Sequence, residues 1–244
     1  MPWTKTQKII AWGIVVLVAL AVVTLFLCRH RIAAHLVIAG GERAIARQIV
    51  TPVDMTARYM VPAYQFDTLQ TKGWRSVPSG FQVYDSVPFN VDGLICLWGG
   101  TSAKGGLTLP EADTDIAVNQ KFETLYVYHA AFFASPANTP VYDLVFNYAD
   151  GSSMTNQVLY GADVLDWNVK RSRTTRGPTG ARSKVGWQGG TFTPGRNDPL
   201  RFTVTAIDNP LPDTEVATID LISCKSESAP CILAMTAGKS GLMK

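Results

Sequence analysis

Residues 9–28 read IIAWGIVVLVALAVVTLFLC, twenty in succession without a charge, bounded by Lys8 and Arg29. As a helix rising about 1.5 Å per residue, this segment covers about 30 Å, the thickness of a bilayer's hydrocarbon core. A cleaved signal peptide is the competing reading, but its apolar region is shorter (~7–15 residues) and ends in a small-x-small site. Thr24-Leu25-Phe26-Leu27-Cys28 contains no such site, and Cys28 lacks the small residue that a lipoprotein cleavage box places before it. The expectation is an uncleaved transmembrane helix at 9–28, preceded by a short tail of residues 1–8.

Charge is distributed unevenly about that segment. The chain holds 22 Lys and Arg against 19 Asp and Glu in 244 residues. Lys5, Lys8, Arg29, Arg31, Arg43 and Arg47 face only Glu42 within residues 1–49, which leaves 16 basic and 18 acidic side chains beyond. The globular part therefore gives no electrostatic reason to expect a nucleic-acid partner. Arg29, His30 and Arg31 stand where lipid headgroups would be. Counting positive charges alone would keep the C-terminal flank in the cytoplasm, whereas long domains cross largely regardless of charge. We expect a single-pass membrane protein whose globular domain lies outside the cytoplasm.

Residues 29–50 keep a helical texture, broken at Gly40-Gly41, and read as a juxtamembrane linker. From Thr51 the pattern changes to short apolar or alternating runs punctuated by Gly, Pro, Asn and Asp, the signature of strands and turns. Phe122–Phe133 is apolar on both parities, as a strand covered on both faces would be. Tyr142–Tyr148 alternates, with Tyr142, Leu144, Phe146 and Tyr148 on one face. Asp150-Gly151 then predicts a hairpin of type I′ returning through Met154–Tyr160. Arg201–Ile207, Val216–Ser223 and Cys231–Thr236 complete the clear strands, with Asn209-Pro210-Leu211-Pro212 as a rigid turn. The fold class expected is an all-β sandwich over residues 51–238, with a C-terminal tail at 239–244. Residues 168–199 predict a long exposed loop, and Lys170, Arg171, Arg173, Arg176, Arg182 and Lys184 make its first half, 168–184, strongly basic.

Several stretches carry a resemblance: VPSGFQVYDSVPFNV (77–91), KFETLYVYHAAFF (121–133), FNYADGSS (146–153), Asp166-Trp167, VGWQGG (185–190), TAIDNPLPDTEVATIDLIS (205–223) and PCILAMTA (230–237). In order and spacing they resemble the galactose-binding-domain-like, jelly-roll β-sandwich modules of bacterial envelope and carbohydrate-associated proteins. The likeness covers about residues 51–237. It implies a jelly roll and a non-catalytic module for saccharide binding or protein interaction. No sugar-contacting residue transfers by position.

Catalytic chemistry finds little support. The region beyond Thr51 has one histidine, His129, inside its most apolar strand, where a structural role bonded to a hydroxyl or to backbone is expected. GxSxG, HExxH, paired CxxC and phosphate-loop patterns are missing. Carboxylates near turns (Asp163 with Asp166, Glu111 with Asp113 and Asp115, Asp213 with Glu215) read as surface acids at strand ends. The Glu111 group is a weak match to calcium and to no known loop. No metal, cofactor or enzymatic activity is expected.

Sugar recognition asks instead for an aromatic face with amide, carboxylate or guanidinium groups at its rim. Trp74, Trp98, Trp167 and Trp187 all stand beside turn residues, although tryptophan there equally caps the end of a core. The candidate ligand residues are Asp166, Trp167 and Asn168, which adjoin the basic loop, then Trp187 and Gln188, with Arg182 from the loop. The basic loop itself suits plain solvation, an anionic headgroup or polysaccharide, or a protein partner. Cys224 and Cys231 are close enough in sequence for either a disulfide or two free thiols. The function read from sequence is a membrane-anchored carbohydrate-binding module, with a protein-interaction or signalling domain as the alternative.

Overall fold

Thirteen strands account for about half of the described backbone of the computed structural model, which describes residues 50–65, 74–172, 174, 176–191 and 198–243. These belong to the second of two compact units, Ile49–Lys244. The predicted transmembrane helix and its linker lie outside the described residues. Among the described residues no helix is long and apolar enough to cross a membrane.

The strands are β1 (Thr51–Pro52), β2 (Val61–Pro62), β3 (Gly80–Tyr84), β4 (Val87–Val91), β5 (Gly93–Cys96), β6 (Ala112–Gln120) and β7 (Thr124–Phe132). After them come β8 (Pro140–Tyr148), β9 (Ser153–Leu159), β10 (Ser183–Gly190), β11 (Pro199–Asp208), β12 (Val216–Ser223) and β13 (Ala229–Gly238). Among the described residues a short α-helix, α1 (Gly100–Lys104), interrupts them, as do single 3-10 turns at Ala63–Gln65 and Trp74–Ser76. A seven-stranded antiparallel sheet runs β10-β11-β7-β13-β5-β2, with β1 also on β13; a second sheet runs β6-β12-β8-β9; β3 and β4 form a separate hairpin.

Two cores explain this layering. Leu125, Val127, Ile207 and Met235 of the large sheet pack against Leu144, Phe146, Ile219 and Leu221 of the four-stranded sheet. On the other face of the large sheet, Tyr126, Tyr128, Phe202 and Leu233 pack under Tyr84, Val87 and Phe89 of the hairpin, with Trp74 and Trp167 beside them. The architecture is all-β and sandwich-like, with the hairpin as a third partial layer. Covered on both faces, β7 and β13 are buried at every position, and β7 needed apolar side chains on both parities for that reason. Strand β8 borders one core only, so Tyr142, Leu144, Phe146 and Tyr148 are buried and the residues between them are not.

The turns follow from backbone sterics. The predicted hairpin between β8 and β9 forms, but its turn is not type I′. Only Gly151 has a positive φ, +86°, and its N–H donates to Tyr148 C=O at 3.0 Å. Ala149 and Asp150 are thus the centre of an ordinary turn, and Gly151 takes the left-handed position that closes three-residue hairpins. Asp150 Oδ1 accepts from the Ser152 N–H and hydroxyl at 2.9 and 2.6 Å, holding the loop. A two-residue turn with both central φ positive occurs instead at Asp85-Ser86 (47° and 70°), between β3 and β4.

Candidate functional site

Where β7 ends, the chain after β9 returns beside it. Ala131 donates to Leu165 C=O at 3.0 Å and accepts from Trp167 N–H at 3.0 Å, which seats Asp166 against the end of the large sheet. From there two short polar side chains shape the backbone. Asp166 Oδ1 accepts from Asn168 N–H at 2.9 Å. Asn168 Oδ1 accepts from the N–H groups of Lys170 and Arg171 at 3.0 and 3.2 Å. Such bonds offer the backbone a partner outside helix or sheet, the reason Asp and Asn favour turns.

These turns deliver Arg171 onto Asp166. Arg171 Nη2 lies 3.2 Å from Asp166 Oδ1, while its guanidinium carbon stands 4.8 Å from the Trp167 ring centroid and 5.0 Å from that of Phe133. Both rings present their negative faces to the cation. Asp166 has no exposed surface, and its Oδ2 has no hydrogen-bond partner among the described residues. Burial raises the Asp166 pKa, and the charge of Arg171 offsets part of that rise. Beneath them the buried Arg201 holds the loop down, donating to Arg176 C=O at 2.6 Å and to the Ser172 hydroxyl.

An open groove of about 720 Å³ runs over this assembly. Phe133, Ala134, Pro136, Ala137 and Leu165 supply its apolar wall, Thr101, Ser135, Tyr160, Ser172, Thr174 and Thr179 its hydroxyls, and Arg171 and Arg176 its positive charge. Phe133 carries a φ of 68°. A bulky side chain in that region is an outlier, and backbone strain of this kind concentrates at ligand sites.

The sequence candidates are separated by the fold. Asp166 lines the groove; Trp167 and Asn168 support it from below, both buried. Trp167 therefore offers its face to Arg171 rather than to a ligand, and Trp74 beside it is wholly buried. Trp187, on β10, packs on Phe202 with ring centroids 5.7 Å apart, and Gln188 is exposed beside it; neither lines the groove. Arg182 is committed to Asp163 through a two-pronged pair, Nε to Oδ1 at 2.9 Å and Nη2 to Oδ2 at 2.8 Å. Burial would raise the Asp163 pKa, but the bonds from Arg182 and from Leu159 N–H outweigh it and hold the carboxyl below its ordinary value.

The basic segment departs from a plain solvated loop. Residues 183–190 of the loop predicted at 168–199 form β10, and Lys170, Arg171, Arg182 and Lys184 pair with Asp198, Asp166, Asp163 and Asp85. Glu111 and Asp113 pair instead with Lys225 and Arg58. Among the described residues no three His, Cys, Asp or Glu side chains converge as a metal site. His129 takes the expected structural place, its Nδ1 2.8 Å from Tyr142 Oη and its Nε2 2.8 Å from Thr205 Oγ1. Burial lowers its pKa to about 4, against a smaller opposing pull from Asp163. The Cys224–Cys231 disulfide that the sequence allowed does not form: Cys231 stands instead beside Cys96, its direct partner on the adjacent strand β5, with both side chains on the same face of the large sheet. Sequence reasoning missed the Phe133–Ala137 wall and Tyr160, which only tertiary contact brings to Asp166.

No family model, curated protein or solved structure matches the chain.

Proposed function

We propose that the domain is a non-catalytic binding module of jelly-roll type, tethered by residues 9–28 on the outer side of a membrane, and that it takes carbohydrate in the groove beside Asp166. One observation carries the reading: an open groove with an apolar wall, six hydroxyl-bearing side chains and two arginines, above a buried carboxylate with one unpartnered oxygen. Its size is within the ~300–1,000 Å³ of small-ligand sites. Pro136 and the alanines suit the apolar face of a pyranose ring, and the hydroxyls suit its edge. Arg171 and Arg176 favour sugars that carry a carboxylate or sulfate. Binding is favoured over hydrolysis because Asp166 is the only carboxylate among the described lining residues, and glycoside cleavage ordinarily uses two.

Affinity electrophoresis of the full chain in mild detergent, through gels containing neutral or acidic polysaccharides, tests the proposal. Retardation by at least one polysaccharide, reversed by its free oligosaccharide, is expected. Unchanged mobility in all of them would refute it.

Exposed Phe81 and Val83, alternate residues of β3, favour a second reading as a protein-interaction or signalling domain. In that case a stoichiometric partner is recovered by the intact chain, is lost on Phe81→Ser with Val83→Ser, and is not displaced by sugars.

A further inference from the structure

We propose that Cys96 and Cys231 are joined by a disulfide when the chain folds in an oxidising compartment. The inference does not depend on what the groove binds.

Cys96 of β5 and Cys231 of β13 are direct partners in an antiparallel pair. The adjacent ladder bond runs from Leu97 N–H to Pro230 C=O at 3.0 Å. That bond joins the residue after Cys96 to the residue before Cys231, so the two cysteines occupy a non-hydrogen-bonded position. At such positions the Cα atoms are about 4.5 Å apart and the side chains lie closest, within the ~4.4–6.8 Å that a disulfide spans. Both side chains enter the same core. Their Sγ atoms are 2.9 Å apart, nearer than two unbonded sulfurs come to rest. Cys224 is placed otherwise, before β13, with its N–H bonded to Val141 C=O at 3.0 Å. Burial and the neighbouring Asp143 push its thiol up to about 12, away from the reactive thiolate.

The chemistry needs an external disulfide, either a small molecule or an oxidoreductase. One cysteine loses its proton and attacks that disulfide, expelling one thiolate and forming a mixed disulfide. The second cysteine, also deprotonated, attacks the protein sulfur of that intermediate and expels the other thiolate. The pair gives up two protons and two electrons, and the external disulfide becomes two thiols. In the closed sheet, burial raises the Cys231 pKa well above its ordinary value. Exchange therefore belongs to the stage at which β5 docks on β13, and the finished bond is shielded from reductant. The cross-link joins residues 135 apart in sequence, so it removes much loop entropy from the unfolded chain.

The test uses the full chain in mild detergent as a Cys28→Ala/Cys224→Ala variant, and in parallel the unaltered protein. Each is reduced, denatured, refolded in a glutathione and glutathione-disulfide buffer, alkylated under denaturing conditions and mapped by peptide mass spectrometry. A Cys96–Cys231 linked peptide is expected in both, with a thermal midpoint roughly 10 °C lower after full reduction. Cys96→Val and Cys231→Val are expected to abolish the dependence on reductant; should either fail to fold, the linked peptide still decides. Recovery of Cys96 and Cys231 as alkylated thiols, or linked to Cys224, overturns the proposal.

Discussion

The carboxylate of Asp166, without exposed surface, is met at 3.2 Å by the guanidinium of Arg171, a side chain that keeps 41% of its surface in solvent. A buried acid thus borrows its counter-charge from the groove's own wall. Arg171→Ala removes the ion pair and both ring contacts. The half-exposed position screens the loss, so we expect about 1–2 kcal/mol of destabilisation in urea unfolding. Arg171→Lys should restore only part of it, since an ammonium has no planar fork to lie between two rings. Equal stability of the alanine variant and the parent would show that the pair contributes nothing.

Phe146, wholly buried between the two sheets, packs edge-on against Phe122 with ring centroids 5.4 Å apart. Phe146→Ala should cost about 3–5 kcal/mol through lost burial and the cavity left behind. Calorimetry or denaturant unfolding measures it.

At Gly151 the φ of +86° excludes β-branched side chains on steric grounds, although the space around its Cβ position is open. Gly151→Val should therefore cost about 1–3 kcal/mol by backbone strain alone. Gly151→Asn should cost less, because Asn tolerates the left-handed region. A valine variant with unaltered melting would contradict the turn described here.

These core and turn positions are also where the sequence was most legible. Strand β8 declares itself because one of its faces borders a core and the other does not. Strand β12 begins and ends at Val216 and Ser223, as its apolar run does. Strands β4 and β10 were not singled out, because Pro88 in the first and Gly186, Gly189 and Gly190 in the second imitate turns. The groove was half legible. Asp166 stood out beside turn residues and a basic segment. Its apolar wall belongs to the connection after β7, and nothing local to Phe133 or Tyr160 announces that they meet Asp166. Trp187 and Gln188 looked equally suitable from composition, but β10 carries them to another part of the large sheet.

Protonation of His129 should weaken the fold in mild acid. His129 has its pKa lowered by burial from 6.5 to about 4, so between those values the unfolded chain binds the proton more readily than the folded one. Its contribution is complete above pH 6.5 and declines as pH falls toward 4, by about 3 kcal/mol in all. Asp166, raised by burial, acts in the opposite sense, gaining stability as pH falls from its folded value toward 3.8. His129→Gln isolates the histidine, and its stability should be flatter across that interval than the parent's.

Calorimetric titration of the full chain in detergent with a retained oligosaccharide, beside an Ala137→Trp variant, tests the groove most directly. Ala137 is exposed on the groove wall next to Gly161, so an indole there fills the ligand's space without entering either core. Saturable binding by the parent and at least ten-fold weaker binding by the variant, at matched melting temperatures, is the predicted result. Equal affinity of the two proteins would place the ligand elsewhere and contradict the account.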